Sequence, residues 1–278
     1  MTDSFARRHP CANLSGALLL PGRTAPVRIS PAWCAAGVLL LVLAWHLAAR
    51  QLGPQVLATP WQALRAIGPL LHSPQFYANA GVCLMRIGAG VLAGASVGFA
   101  LGMLAGHSGR LRGLIEPLRW LLTALPPVVA VVLAALWFGR GSPMVIVITA
   151  LIMAPGMYSH TVQGVQAVDC KLVEMTRVYR YGMWRSLRHL YLPVLRPVLL
   201  AALIGAASTG ARLVVMAEAL GAESGVGHAL ANARGAFASA ELIAWALLIL
   251  GLAAALEFAC LRPLRRRLEP LLEQPRHA

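Results

Sequence analysis

Charge is scarce in this chain. Only 12% of its 278 residues are Asp, Glu, Lys or Arg, ten of these are acidic, and lysine occurs once, as Lys171. So little polar surface excludes an ordinary soluble globule of this length. With 58% hydrophobic residues and a mean hydropathy of +0.68, the chain belongs in a bilayer. Runs of about 10 residues alternating apolar and polar are absent, which excludes a barrel. The spans are therefore helices, which satisfy their own backbone hydrogen bonds in lipid.

Other absences narrow the chemistry. No G-x-x-x-x-G-K-[ST] sequence occurs, and no glycine-rich loop precedes Lys171, so the chain does not hold ATP through a P-loop. The acidic residues Asp3, Glu116, Asp169, Glu174, Glu218, Glu223, Glu241, Glu257, Glu269 and Glu273 are scattered, and they offer no catalytic pair and no metal-ligand cluster. The sequence predicts no catalytic residue, no cofactor and no metal site. Cys11, Cys34, Cys83, Cys170 and Cys260 fall within spans or on the side predicted to be cytoplasmic, so no disulfide framework is expected. The first apolar run follows a polar tail of about 30 residues and exceeds a signal-peptide core, which predicts a retained helix.

What is present is a series of apolar runs. A hydrocarbon core of about 30 Å takes about 20 helical residues to cross. Six stretches approach that length: 33–49, 87–106, 120–138, 144–158, 198–216 and 242–261. The predicted fold is an all-α polytopic bundle of about six helices. It has a tail at 1–30, a first helix and outer segment at 31–79, a core at 80–261 with a loop at about 161–197, and a tail at 262–278.

The formal net charge of +14 invites a nucleic-acid reading, but the placement of the cations argues for topology instead. Basic residues crowd alternate loops: Arg7, Arg8, Arg23 and Arg28; Arg110, Arg112 and Arg119; Lys171, Arg177, Arg180, Arg185, Arg188 and Arg196; Arg262, Arg265, Arg266, Arg267 and Arg276. The opposite side holds Arg50, Arg65, Arg140 and Arg234. The positive-inside rule then places both termini and the long loop in the cytoplasm of a plasma-membrane protein.

Several local signals follow. Gly90, Gly94, Gly98, Gly102 and Gly106 recur at every fourth position and predict a helix face for close packing. Pro126-Pro127 and Pro155-Gly156 predict kinks. Between residues 50 and 79, a short amphipathic helix is expected around Trp61–Ile67. Gly106-His107-Ser108-Gly109 matches the GxSG pattern of rhomboid-type proteases, with His160 as an imaginable base. Ser108 follows the end of a span and precedes Arg110, which predicts a wet turn instead. Glu257 and His46 lie inside spans and keep open a second class, a self-sufficient secondary transporter or channel.

The segment VDCKLVEMTRVYRYGMWRSLRHLYLPVLRP is the most charged long stretch. Leu172, Met175, Val178 and Tyr179 follow helical spacing, Gly182 interrupts, and Trp184, Leu187, Leu190 and Tyr191 resume before Leu192-Pro193. Two short amphipathic helices joined by a turn are expected, lying on lipid or offering an apolar ridge to another protein.

This segment resembles the coupling loop of ABC importer permeases, the inner-membrane components of binding-protein-dependent transport. Glu174-Met175-Thr176 and Leu192-Pro193 stand at that family's spacing, while Arg180 occupies the position of its usual glycine and Gly182 follows two residues later. Arg86 and Gly90, Trp137-Phe138-Gly139, Gln163-Gly164, Val168-Asp169, and Ala217-Glu218-Ala219-Leu220-Gly221 followed by Gly225-Val226-Gly227 resemble its sulfonate, taurine and nitrate branch. The resemblance implies a permease without enzymatic activity, paired with a second permease copy and surrounded by membrane lipid. It also implies two ATPase subunits carrying ATP-Mg, a periplasmic binding protein, and no nucleic-acid partner. By the same resemblance, Glu174, Met175, Thr176, Arg177, Gly182, Leu192 and Pro193 contact or orient the ATPase. Arg212 is an intramembrane cation six residues, roughly 9 Å of helix, before Glu218; it either snorkels to the outer interface or pairs locally, or it faces the path of a small anionic solute, for which Glu218 is a second candidate.

Overall fold

The computed structural model describes residues 31–53, 56–168, 170–179 and 182–263, and every regular element among them is helical. Residues 1–30 and 264–278 of the two charged tails and the Arg180 position of the predicted turn lie outside the described residues. Contacts divide the chain after Ala44. The described part of the first unit is the beginning of helix α1 (Pro31–Leu52), whose side chains from Trp33 through Leu43 are exposed and overwhelmingly apolar, as lipid-facing groups are.

The second unit begins at Trp45, whose indole Nε1 donates to Ala58 O. Helix α2 (Pro60–His72) covers the amphipathic segment expected from sequence. Its start is fixed by a capping box: Thr59 Oγ1 accepts from Gln62 N, and the Gln62 side chain accepts from Thr59 N at 2.9 Å. Helix α3 (Pro74–His107) then runs for 34 residues, beginning well before the expected start at 87 because Ser73 caps it and Pro74 suits a first-turn position.

The expected third span is not one helix. Helix α4 (Gly109–Ala124) and helix α5 (Pro127–Phe138) meet at a bend of 102°. Pro126 restricts Leu125 to extended backbone, and Pro126 is itself extended ahead of Pro127, so two consecutive residues leave the helix. At 12 residues, α5 reaches only about 18 Å and cannot cross alone. Among the described residues, five helices are long and apolar enough to cross, or six if this broken pair counts as one.

Helix α6 (Ser142–Gln166) continues through Pro155 without a break. It runs parallel to α3 in close contact, and the glycine spacing makes that possible. A Cβ on Gly90 would lie 2.7 Å from Thr149 Cβ, on Gly94 2.7 Å from Ala150 O, on Gly98 2.5 Å from Ala154 O, and on Gly106 2.8 Å from Val165 Cβ. Without those side chains the two backbones pack directly. Because the contacts advance in the same direction along both helices, the chain between them must return across the bundle, which is the work of α4 and α5.

After α6 come α7 (Cys170–Val178), α8 (Met183–Ser186) and a π-turn (Leu187–Tyr191) that feeds into α9 (Leu192–Gly221). The second short helix of the loop is thus continuous with the next span rather than a separate unit. Pro193 has no N–H to donate and its ring crowds the preceding turn, which accounts for the widened winding there. A second π-turn (Leu256–Leu261) likewise precedes Pro263. Helix α10 (Val226–Gly235) is short, and α11 (Ser239–Ala255) completes the described bundle. Helix α9 is antiparallel to α6: Gly164 faces Leu195, Gly210 faces Val91 and Thr149, and Gly221 faces Met144. The main core lies where α3, α5, α6, α9 and α11 meet, around Val91, Val131, Ile148, Val214 and Trp245.

Candidate functional site

The bundle has two chemically distinct ends. One carries the last turn of α6, the loop helices and the first turn of α9. There Val165, Val168, Leu190 and Leu195 form a small buried cluster on which Val173 of α7 packs. His107, at the end of α3, meets Tyr191 ring to ring at 4.6 Å. The loop is thereby seated on three long helices at once.

Seating one side of α7 leaves the other outward. Leu172, Met175 and Val178 are exposed at three-residue intervals, with Tyr179 beside them. Glu174 is exposed on the same short helix, whereas Thr176 is half-buried and its hydroxyl donates back to Val173 O at 2.7 Å. The Arg177 side chain lies outside the described set. Gly182 is exposed just before α8, and Leu192 and Pro193 are exposed in the first turn of α9. The structure therefore brings Glu174 and Met175 onto an exposed side of α7, gives Thr176 a local backbone bond, and places Leu192-Pro193 at the base of a span.

At the opposite end lies a buried ionic network. Arg86 Nη1 donates to Glu218 Oε1 at 2.9 Å and to Ser224 O at 2.7 Å. Arg86 Nη2 donates to Ser142 Oγ at 2.9 Å and to Ser224 Oγ at 2.8 Å, and Nε donates to Ser142 Oγ at 3.0 Å. The other Glu218 oxygen accepts from Gly227 N at 3.1 Å, while Asn79 Oδ1 accepts from Gly225 N at 3.0 Å. One guanidinium thus joins α3, the start of α6, the end of α9 and the turn into α10.

Such a pair is tolerable away from water because nearly every donor and acceptor is satisfied. Glycine is required around it. Gly225 has φ +106°, and a Cβ there or on Gly227 would strike the Glu218 side chain. Glu218, expected to border a solute path, has a side chain with no exposed surface, held between Arg86 and Gly227. Sequence reasoning marked Arg86 and the glycines only as motif letters and did not join them to Glu218. Two opposite charges at the ends of apolar spans were the available signal.

Arg212 is exposed on α9 and borders a cavity of about 450 Å³. Glu257 lies in the turn continuing α11 and accepts from Ser208 Oγ at 2.8 Å. Ser108 caps α4, its Oγ accepting from Leu111 N, consistent with a turn rather than a nucleophile. Among the described residues no group of His, Cys, Asp and Glu could hold a metal ion.

Residues 98–274 match the family model for the binding-protein-dependent transport system inner membrane component. The chain is 31% identical over 182 residues to a Bacillus subtilis permease protein assigned to aliphatic sulfonates transport, covering 64% of this chain and 65% of that relative. It is 26% identical over 238 residues to the taurine transport system permease protein of Escherichia coli, covering 83% and 86%. Among solved structures, a bacterial alginate ABC transporter in complex with an alginate-bound periplasmic protein aligns over 84% of this chain and 96% of its own, with TM-score 0.57 and 15% identity, a likeness of fold.

Proposed function

The chain belongs to the binding-protein-dependent transport system inner membrane components, and from that membership we propose that it forms the membrane path of an ATP-driven importer for a small anionic solute of the sulfonate class. The observation that carries this reading is the α7 ridge. Leu172, Met175 and Val178 stand exposed on a helix whose other side is anchored to the spans through Val173. A ridge of that kind fits a groove on a separate ATPase subunit and transmits its movement to α6 and α9.

The working assembly in this reading holds two permease copies, two ATPases carrying ATP-Mg, and a periplasmic binding protein, all within membrane lipid. The arginine-rich loops favour cytoplasmic termini and a cytoplasmic α7, which leaves the Arg86–Glu218 end facing the binding protein. ATP binding and hydrolysis then bias a two-state bundle from one end, while the loaded binding protein biases it from the other. Sulfonates enter through the similarity to the sulfonate and taurine permeases. Arg212 is the cation we place against the solute.

Reconstitution tests the reading. Vesicles containing this chain, its ATPase and the binding protein should accumulate an alkanesulfonate only with ATP. Equal uptake without the ATPase would replace the importer with a self-sufficient transporter.

A further inference from the structure

The cavity beside Arg212 has an uneven lining. Leu84 and Ile87 of α3 and Ile249, Leu252 and Leu256 from α11 and its continuation give it hydrocarbon walls, and Arg212 is its one charged lining residue among the described residues. No hydrogen bond or ion pair engages the Arg212 guanidinium among the described residues. Glu257, the carboxylate that follows Leu256, is engaged by Ser208, one helical turn before Arg212 on α9. Arg212 lies nine positions before the end of α9, about 13 Å along a helix long and apolar enough to cross. An arginine within a spanning helix is costly unless it has a partner. The contrast with Arg86, whose three nitrogens are all engaged, makes the open guanidinium more informative.

We infer that this cavity binds an aliphatic acid anion, its acid head on the Arg212 guanidinium and its chain against the walls supplied by α3 and α11. A volume of about 450 Å³ suits a small ligand. The guanidinium fork matches the oxygens of a sulfonate, phosphonate or carboxylate. Hydrocarbon walls reject a bare inorganic anion, which would lose its hydration and gain contact at one end only. The inference deepens the role proposed for Arg212, yet it concerns binding and needs neither ATP nor a transport cycle. The same chemistry could come from a free alkyl acid or from an anionic lipid.

The test uses the full-length chain in phosphatidylcholine nanodiscs without ATPase, titrated with ethane-, butane- and hexanesulfonate and with inorganic sulfate. Affinity should rise about fourfold per methylene until the cavity fills, with sulfate weakest. Arg212→Gln should weaken hexanesulfonate at least tenfold, with Arg212→Lys retaining part of the affinity. Ala253→Phe, which keeps the charge and fills the space, should remove the dependence on chain length. Each variant is compared at unchanged melting temperature. Repeating the wild-type titration in phosphatidylglycerol identifies the source: competition marks lipid as an occupant, and unchanged affinity marks a free acid. Equal binding by Arg212→Gln, or sulfate as tight as hexanesulfonate, would overturn the inference, whereas failed ATP-driven uptake with intact binding would overturn only the importer.

Discussion

Arg86 and Glu218, 132 positions apart in sequence, form a 2.9 Å ion pair with side-chain exposures of 1% and 0%. Removing either partner strands a buried charge. Glu218→Leu or Arg86→Met should therefore cost about 3–5 kcal/mol, while the two combined should cost far less than the sum. Thermal unfolding of the four proteins in one detergent checks this, and additive losses would show that the pair is not the coupled unit described.

The turn that wraps Glu218 should be as sensitive as the pair. Gly227→Ala places a methyl against Val215 O and the Glu218 side chain, and Gly225→Ala adds positive-φ backbone strain of about 1–3 kcal/mol. Both should lower the melting temperature. In an Arg86→Ala background the Gly227→Ala penalty should shrink, because the network it disturbs is already open.

Two glycines on α3 should behave oppositely. Gly98→Ala drives a methyl into Ala154 O, a backbone atom, and should cost about 1–3 kcal/mol by forcing α3 from α6. Gly88→Ala meets nothing within 4 Å and should be neutral or stabilising by about 0.5–1 kcal/mol. Melting temperatures in the same micelle separate the two, and equal losses would contradict the packing register.

The α7 ridge should be dispensable for folding and needed for partnership. Glu174→Arg and Met175→Asp change exposed positions, so stability should move by no more than about 0.5 kcal/mol. Co-purification with the ATPase should fall sharply for both. Wild-type recovery of the ATPase by a folded double variant would move the docking contact elsewhere.

The sequence made the membrane legible because burial in lipid is written locally, as length and apolarity. The glycines of α3 were legible for the same reason: a period of four residues on one helix marks a close-packed face before its partner is known. The Pro126-Pro127 break was half legible. Two prolines predict a kink, but its size was settled by an extended Leu125 and by α3 and α6 running parallel, which requires the chain to return between them. The loop helices were visible as amphipathic spacing, yet the fusion of α8 into α9 was missed because a Leu-Pro step reads as a stop until a widened turn absorbs it.

What the sequence alone determined is the class: a helical membrane protein with arginines sorted to alternate loops, whose Glu174 and Leu192-Pro193 stand at the family's spacing while Arg180 replaces its glycine. Tertiary structure decided the fates of Glu218 and Arg212, two charges six residues apart on one helix. Helical rotation turns Glu218 toward Arg86, Ser142 and Ser224, leaving it no surface, and turns Arg212 toward a cavity without a counter-charge. Which face of a helix meets which neighbour is a non-local fact, and an ion pair between residues 132 positions apart exists only once the helices carrying them are packed.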